Sequence, residues 1–162
     1  MVPSSSESVF DLRGEDRSPL LVLVAEGETT LRHALAEALR TDNCEAIEVP
    51  DAAALMSALT DVHRVRDPQL LIVDLDLLEG DGRNLLGRVL DAAPGIARIF
   101  TTRSSDHRVR TRAMATGGLL FDKPFPVADL AASARWVLRT SAALRARAVP
   151  RNREGAPGAG RL

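Results

Sequence analysis

The sequence predicts an α/β protein: a doubly wound, five-stranded parallel sheet flanked by helices. Apolar runs of strand length alternate five times with segments whose apolar residues repeat at helical spacing. The apolar runs are also unbroken, which is typical of parallel strands covered by helices on both faces. Right-handed crossovers in such a sheet bring ligand-binding residues to the carboxyl ends of the strands.

The first half of the chain contains two strand–helix units and a third strand. LLVLVA at 20–25 is the first strand, and TTLRHALAEALR after it carries leucines at helical spacing. EAIEV at 45–49 is a short second strand, and Asp51 is placed to cap the helix that follows it. QLLIVD at 69–74 is the third strand, and it leads into an acidic loop.

The second half continues the same alternation. RNLLGRVLDAA is the third helix, and IARIFTT at 96–102 is the fourth strand. A polar, basic helix, SDHRVRTRAMAT, precedes the fifth strand, GLLF, at 118–121. VADLAASARWVLRT then forms the last helix, with its apolar residues at helical spacing.

Composition divides the chain into three parts. Residues 1–18 are rich in Ser and charge and predict a disordered lead. The five units form one domain at 19–140, and the Arg-, Pro- and Gly-rich segment 141–162 predicts a disordered tail. That tail shows no helix-turn-helix pattern, so we expect no sequence-specific DNA binding.

The overall composition excludes several classes of protein. A net charge of −1 over 162 residues gives no general attraction to nucleic acid or to an anionic membrane. The single cysteine, Cys44, rules out an internal disulfide and fits a reducing compartment. No apolar run is long enough to cross a bilayer, and the N-terminus lacks the apolar centre of a secretory signal. We therefore expect a cytoplasmic protein that does not enter the membrane.

Polar side chains stand at the ends of the predicted strands. Glu26 follows the first strand, Asp74 ends the third, Thr102 ends the fourth, and Lys123, the one lysine among 21 basic residues, follows the fifth. Two carboxylates, a hydroxyl and an ammonium on one rim can hold a phosphoryl group. The acidic loop itself, VDLDLLEGDG at 73–82, allows three interpretations.

Two of these interpretations are weak. An EF-hand loop that starts at Asp74 needs Gly at its sixth position and an acid at its twelfth, where Glu79 and Leu85 stand. The Asp-x-Asp pair resembles the signature of haloacid dehalogenase-type phosphatases, but there it follows the first strand. Those phosphatases also need a further acidic pair after the lysine to hold magnesium, which the chain lacks. The phosphatase stays a remote alternative.

The third interpretation accounts for every strand end. From about residue 20 to 140 the chain resembles a receiver domain of bacterial two-component response regulators, which implies a flavodoxin-like (βα)5 fold. The resemblance rests on IVDLDLLEGDG, the strand that ends in Thr102, and DKPF around Lys123. It implies that Asp74 accepts a phosphoryl group, that Thr102 and Lys123 bind it, and that the Lys123–Pro124 bond is cis.

The resemblance also implies a magnesium site, at which this sequence departs from the family. Receivers end their first strand with two adjacent acids, and here those positions are Glu26 and Gly27. The implied ligands are Glu26, Asp74 and the backbone carbonyl of Asp76. Because Gly27 removes a carboxylate, the pocket is degenerate and we expect weakened Mg2+ binding.

The implied activity is signalling rather than turnover. We expect a stand-alone response regulator that receives a phosphoryl group from a sensor histidine kinase or phosphotransfer protein and acts through a downstream protein or a homodimer. It catalyses at most its own phosphorylation and dephosphorylation. The alternative is a pseudo-receiver that binds proteins without phosphorylation. The resemblance places output on the fourth and fifth helices, with Arg108, Arg112 and Trp136 as candidate contacts.

Overall fold

The computed structural model describes residues 18–148, apart from residues 42, 62, 63, 65 and 80–83. Most of the predicted N-terminal lead and the predicted tail from residue 149 onward lie outside the described residues. The part of the acidic loop that contains Asp81 also lies outside them.

Strands and helices alternate five times, as predicted. The third strand is followed by one short 3-10 helix, Leu75–Leu78, before the third α-helix. The elements are β1 (Leu20–Ala25), α1 (Thr29–Leu39), β2 (Cys44–Val49), α2 (Ala52–Thr60), β3 (Leu70–Asp74), α3 (Leu85–Ala92), β4 (Ala97–Thr102), α4 (His107–Met114), β5 (Leu119–Asp122) and α5 (Val127–Ala148).

All five strands are parallel and lie in the order β2-β1-β3-β4-β5. Helices α1 and α5 pack on one face of the sheet, and α2, α3 and α4 pack on the other. The central strand β3 is buried along its whole length. Its unbroken apolar sequence is explained by this double covering, and the predicted fold class is confirmed.

Local signals set several element ends. The side chain of Asp51 accepts a hydrogen bond of 2.7 Å from the backbone N–H of Ala54 and caps α2, as predicted. Asp106 caps α4 in the same way through the N–H of Arg108. These caps fix where the helices begin after the loops at the carboxyl edge of the sheet.

The last helix is longer than the sequence predicted. Apolar periodicity is lost after about residue 140, but α5 continues to Ala148. The added segment consists mainly of Ala, Leu and Arg, which have the highest intrinsic helix propensity. Leu144 within it is 62% exposed. Within the described residues, no helix is both long and apolar enough to span a membrane.

Candidate functional site

A buried polar pocket lies at the carboxyl edge of the sheet. Glu26 follows β1, Asp74 ends β3, Thr102 ends β4, and Lys123 follows β5. The four strands are consecutive neighbours in the sheet, so their ends meet. Glu26, Asp74 and Thr102 are 2%, 5% and 0% exposed. Burying polar and charged groups costs free energy unless they have partners, so each of these side chains needs one.

Lys123 supplies the partner for both carboxylates. Its Nζ lies 2.8 Å from Oδ2 of Asp74 and 2.7 Å from Oε2 of Glu26, and its side chain is 5% exposed. The backbone N–H of Lys123 donates to the carbonyl of Thr102, which holds the residue beside β4. The Lys123–Pro124 bond is cis, as the resemblance implied.

Burial and ion pairing act in opposite directions on the charges of this pocket. Burial raises the pKa of Asp74, and the charge of Glu26 raises it further, against hydrogen bonds from Lys123 and the N–H of Asp76. Burial lowers the pKa of Lys123, but the two carboxylates outweigh it and the net shift is upward. One ammonium therefore holds together two carboxylates that would otherwise repel each other.

Asp76 belongs to a second group of contacts. Its Oδ1 accepts a hydrogen bond of 2.9 Å from the Thr102 hydroxyl, and its Oδ2 accepts one of 3.2 Å from the N–H of Arg103. The sequence predicted Thr102 as a donor to a phosphoryl group, and it gave Asp76 a role mainly through its backbone. Sequence reasoning considered the Asp76 side chain only as a possible metal ligand and missed its contacts with Thr102 and Arg103. The signal for this side chain was the second acid of the motif DLD.

A cleft of about 580 Å3 opens beside Lys123. Its walls include apolar side chains of α1 and of the segment after β5, together with Glu28 and Arg103. These two exposed residues form an ion pair with 3.5 Å between Nη2 of Arg103 and Oε2 of Glu28. Such a surface pair contributes little to stability, so it can open without large cost when something enters the cleft.

The three candidate output residues lie on two helices, α4 and α5. Arg108 and Arg112 line a groove between α3 and α4, and Arg112 donates to the side chain of Asn84 at the start of α3. Trp136 is 57% exposed on α5, which packs on the other face of the sheet. The two arginines therefore share one groove, and the output role of all three residues stays a prediction.

Fold and pocket together define a doubly wound α/β domain with an acidic, lysine-paired site at the carboxyl edge of its sheet. The family model described as the response regulator receiver domain matches residues 22–135. The chain belongs to this family. Receiver domains are in general signalling modules, and the match favours this class over the phosphatase alternative.

Solved structures support the same fold. A CheY-like receiver domain protein from Methanospirillum hungatei JF-1 is similar with a TM-score of 0.67 and 17% identity, over 78% of this chain and 99% of that one. NtrX from Brucella abortus is similar with a TM-score of 0.67 and 25% identity, over 88% of this chain and 32% of that one.

A curated relative is similar over a smaller share of its length. Protein-glutamate methylesterase/protein-glutamine glutaminase 2 from Anaeromyxobacter dehalogenans (strain 2CP-C) is 29% identical over 122 residues. These residues make up 75% of this chain but 35% of the relative, so the chain spans about a third of that protein. The likeness concerns that third alone.

Receiver domains generally bind Mg2+ in the acidic pocket, and the residues here fit it poorly. Glu26 and Asp74 are paired with Lys123, and the Asp76 carboxylate is engaged by Thr102 and Arg103. Among the described residues, no three His, Cys, Asp or Glu side chains are grouped so that they could hold a metal ion. Mg2+ demands near-octahedral oxygen ligands, so these carboxylates would have to share or give up their present partners to bind it.

Gly27 explains part of this misfit. The resemblance aligns it with the second acid of receivers, and a Cβ built on it would lie 3.1 Å from Cδ2 of Leu77. The half-buried Leu77 side chain therefore packs against the backbone at the position of the missing carboxylate. An apolar methyl group therefore lies beside this position, which disfavours a divalent cation.

Proposed function

We propose that this receiver accepts a phosphoryl group on Asp74 from a sensor histidine kinase or phosphotransfer protein and signals through protein contacts. The observation that carries this proposal is the buried Asp74 carboxylate with Nζ of Lys123 at 2.8 Å. A carboxylate in this setting is a nucleophile beside a fixed cation that can pair with the incoming phosphate.

The transfer needs few protein groups. An oxygen of Asp74 attacks phosphorus, the P–N bond of a phosphohistidine breaks, and the imidazole leaves with the electron pair and takes up a proton from solvent. The ammonium of Lys123 lies close enough to follow the negative charge from the carboxylate to the phosphoryl oxygens.

The cleft beside Lys123 is the route by which a donor reaches Asp74 in this proposal. Its apolar walls on α1 and after β5 suit the apolar face of a partner helix, and Glu28 and Arg103 offer both charges at the rim. We place this transfer, and therefore this protein, in the cytoplasm. After transfer, we assign output to the arginines of α4 and to Trp136 on α5, toward a downstream protein or a second copy.

The test is incubation of the full chain with acetyl phosphate and magnesium, followed by intact mass measurement. The wild type is expected to gain one phosphoryl group and Asp74→Asn none. Asp91→Asn, which changes an exposed acid on α3, is the matched control and is expected to be labelled like the wild type. Labelling that persists in Asp74→Asn would show that another residue is the nucleophile.

A second function is favoured by the pocket's departures from the family. Gly27 lacks the second acid, and the Thr102 hydroxyl is engaged with Asp76 rather than free for a phosphoryl group. A pseudo-receiver that binds its partner in this one state would keep the fold without the chemistry. Absence of labelling in the wild type, with partner binding unaffected by Asp74→Asn, would favour this alternative.

A further inference from the structure

The carboxylate of Asp76 holds the two donors that lie nearest the end of β4. Thr102 is fully buried and Arg103 follows it directly, and both donate to Asp76 at 2.9 and 3.2 Å. We propose that Asp76 is a positioning residue for phosphoryl acceptance, whose carboxylate competes with a phosphoryl group on Asp74 for these two donors. The inference rests on the proposed role of Asp74 as phosphoacceptor.

The Thr102 hydroxyl can donate to only one acceptor at a time. A threonine hydroxyl has one proton to donate, and that of Thr102 points to Asp76. Its oxygen meanwhile accepts a hydrogen bond of 2.9 Å from the N–H of Ser104. Thr102 therefore cannot donate to a phosphoryl oxygen until it leaves Asp76.

The negative charges of the Asp76 carboxylate and of a phosphoryl group on Asp74 strengthen this competition. Phosphorylation replaces the single negative charge of the Asp74 carboxylate with a phosphoryl group that carries about −1.5 to −2 units and three strong acceptor oxygens. Asp76 is two residues away, and its backbone N–H already donates to Oδ1 of Asp74 at 3.0 Å. The two anions repel each other while both seek the same donors, so Asp76 opposes both formation and persistence of the phosphorylated state.

The contact also reaches the start of α4. Ser104, whose N–H is held by Thr102, accepts a hydrogen bond of 3.1 Å on its Oγ from the N–H of Asp106. Asp106 in turn caps α4. When the Thr102 hydroxyl turns away from Asp76, the hydrogen bonds of this turn change with it.

The resting contact is tested without any phosphoryl donor. Amide hydrogen exchange of Arg103 and Ser104 is measured by NMR in the full-length wild type, Asp76→Asn and Asp76→Ala. Asn keeps an acceptor for Thr102 but presents N–H groups toward the Arg103 amide, and Ala removes both acceptors. The Arg103 amide is expected to exchange about tenfold faster in both variants, the size expected for loss of a hydrogen bond to a charged group.

The matched control is Glu79→Gln. Glu79 is an exposed acid of the same loop, so its replacement removes one negative charge and none of these hydrogen bonds. It is expected to leave the exchange of Arg103 and Ser104 unchanged. Unchanged exchange of Arg103 in Asp76→Ala would overturn the proposal at its first step.

Competition is tested by the rate of labelling with acetyl phosphate. Asp76→Ala is expected to gain the phosphoryl group about fivefold faster than the wild type and to lose it more slowly. Asp76→Asn, which keeps an acceptor for Thr102, is expected to fall between Asp76→Ala and the wild type. Glu79→Gln is expected to change both rates by less than about twofold, because an exposed charge is screened. Equal acceleration in Glu79→Gln and Asp76→Ala would show that charge alone acts, which overturns the positioning role.

The two proposals fail in different ways. If the wild type is labelled on Asp74 and the Asp76 variants are no faster, the positioning role is wrong and the phosphoacceptor role stands. If no variant is labelled although exchange responds as expected, the phosphoacceptor role falls. Asp76 is then a structural contact and not a positioning residue.

Discussion

Replacing Lys123 with Met removes the one cation between two buried carboxylates. The side chains of Lys123, Glu26 and Asp74 are 5%, 3% and 7% exposed, so solvent can do little to screen the charges that remain. Removal of one member of a buried ion pair costs about 3–5 kcal/mol. We expect a loss of about 3 kcal/mol at pH 7.5, because the adjacent cleft lets water approach the pocket.

The loss is expected to depend on pH in a defined direction. Asp74 has a raised pKa in the folded wild type, so its contribution to stability falls as pH rises through that pKa. The Lys123→Met substitution also removes the hydrogen bond that lowers this pKa, so the carboxyl of Asp74 holds its proton to higher pH in the variant. The difference between variant and wild type should therefore be largest near pH 7.5 and shrink toward pH 4.

The assay is thermal and urea unfolding of both proteins at pH 4.5, 6 and 7.5. A loss of about 3 kcal/mol lowers the melting temperature of a domain this size by roughly 10 °C. Adding Asp74→Asn to Lys123→Met is expected to recover about half of the loss by removing one unpaired charge. Arg139→Met, on the exposed face of α5, is the control and should cost less than about 0.5 kcal/mol. A loss that is equal at all three pH values would refute this account.

Two further predictions concern neighbouring positions. Gly27→Asp is expected to tighten Mg2+ binding, since it adds a carboxylate, and to lower stability without metal, since it crowds Glu26 and presses on Leu77 at 3.1 Å. Isothermal titration measures the Mg2+ affinity, and thermal unfolding measures the stability. An unchanged Mg2+ affinity would show that the end of strand β1 does not face the site. Lys123→Arg is expected to lose response to a phosphoryl donor almost as fully as Lys123→Ala, because a guanidinium fork does not fit the space of a buried ammonium. Partner binding or oligomeric state with and without acetyl phosphate measures this, and a wild-type response in the Arg variant would show that charge alone suffices.

Elements and strand ends could be predicted because their signals are local. Unbroken apolar runs such as that of β3 have few alternatives once helices alternate with them. Parallel topology then fixes which ends meet, so Glu26, Asp74 and Lys123 could be brought together from their positions alone. The end of α5 was placed too early, because helix propensity continues beyond the last inward-facing apolar residue.

Side-chain partners could not be predicted in the same way. Whether Thr102 donates to a phosphoryl group or to Asp76 depends on a rotamer and on a distance of 2.9 Å between the end of β4 and the 3-10 helix after β3, residues 26 apart in sequence. The same holds for Arg112, whose hydrogen bond to Asn84 at the start of α3 could not be predicted from the sequence.

The sequence by itself determined the sheet, its order of elements and the charged residues at its carboxyl edge, because burial and chain crossover depend on pattern and handedness. Only the tertiary structure decided how those charges are shared. Lys123 joins Glu26 to Asp74, and Asp76 holds Thr102 and the Arg103 amide. The physical reason is that a buried charge must find its partner within about 3 Å, and the nearest partner is set by packing between loops rather than by spacing along the chain.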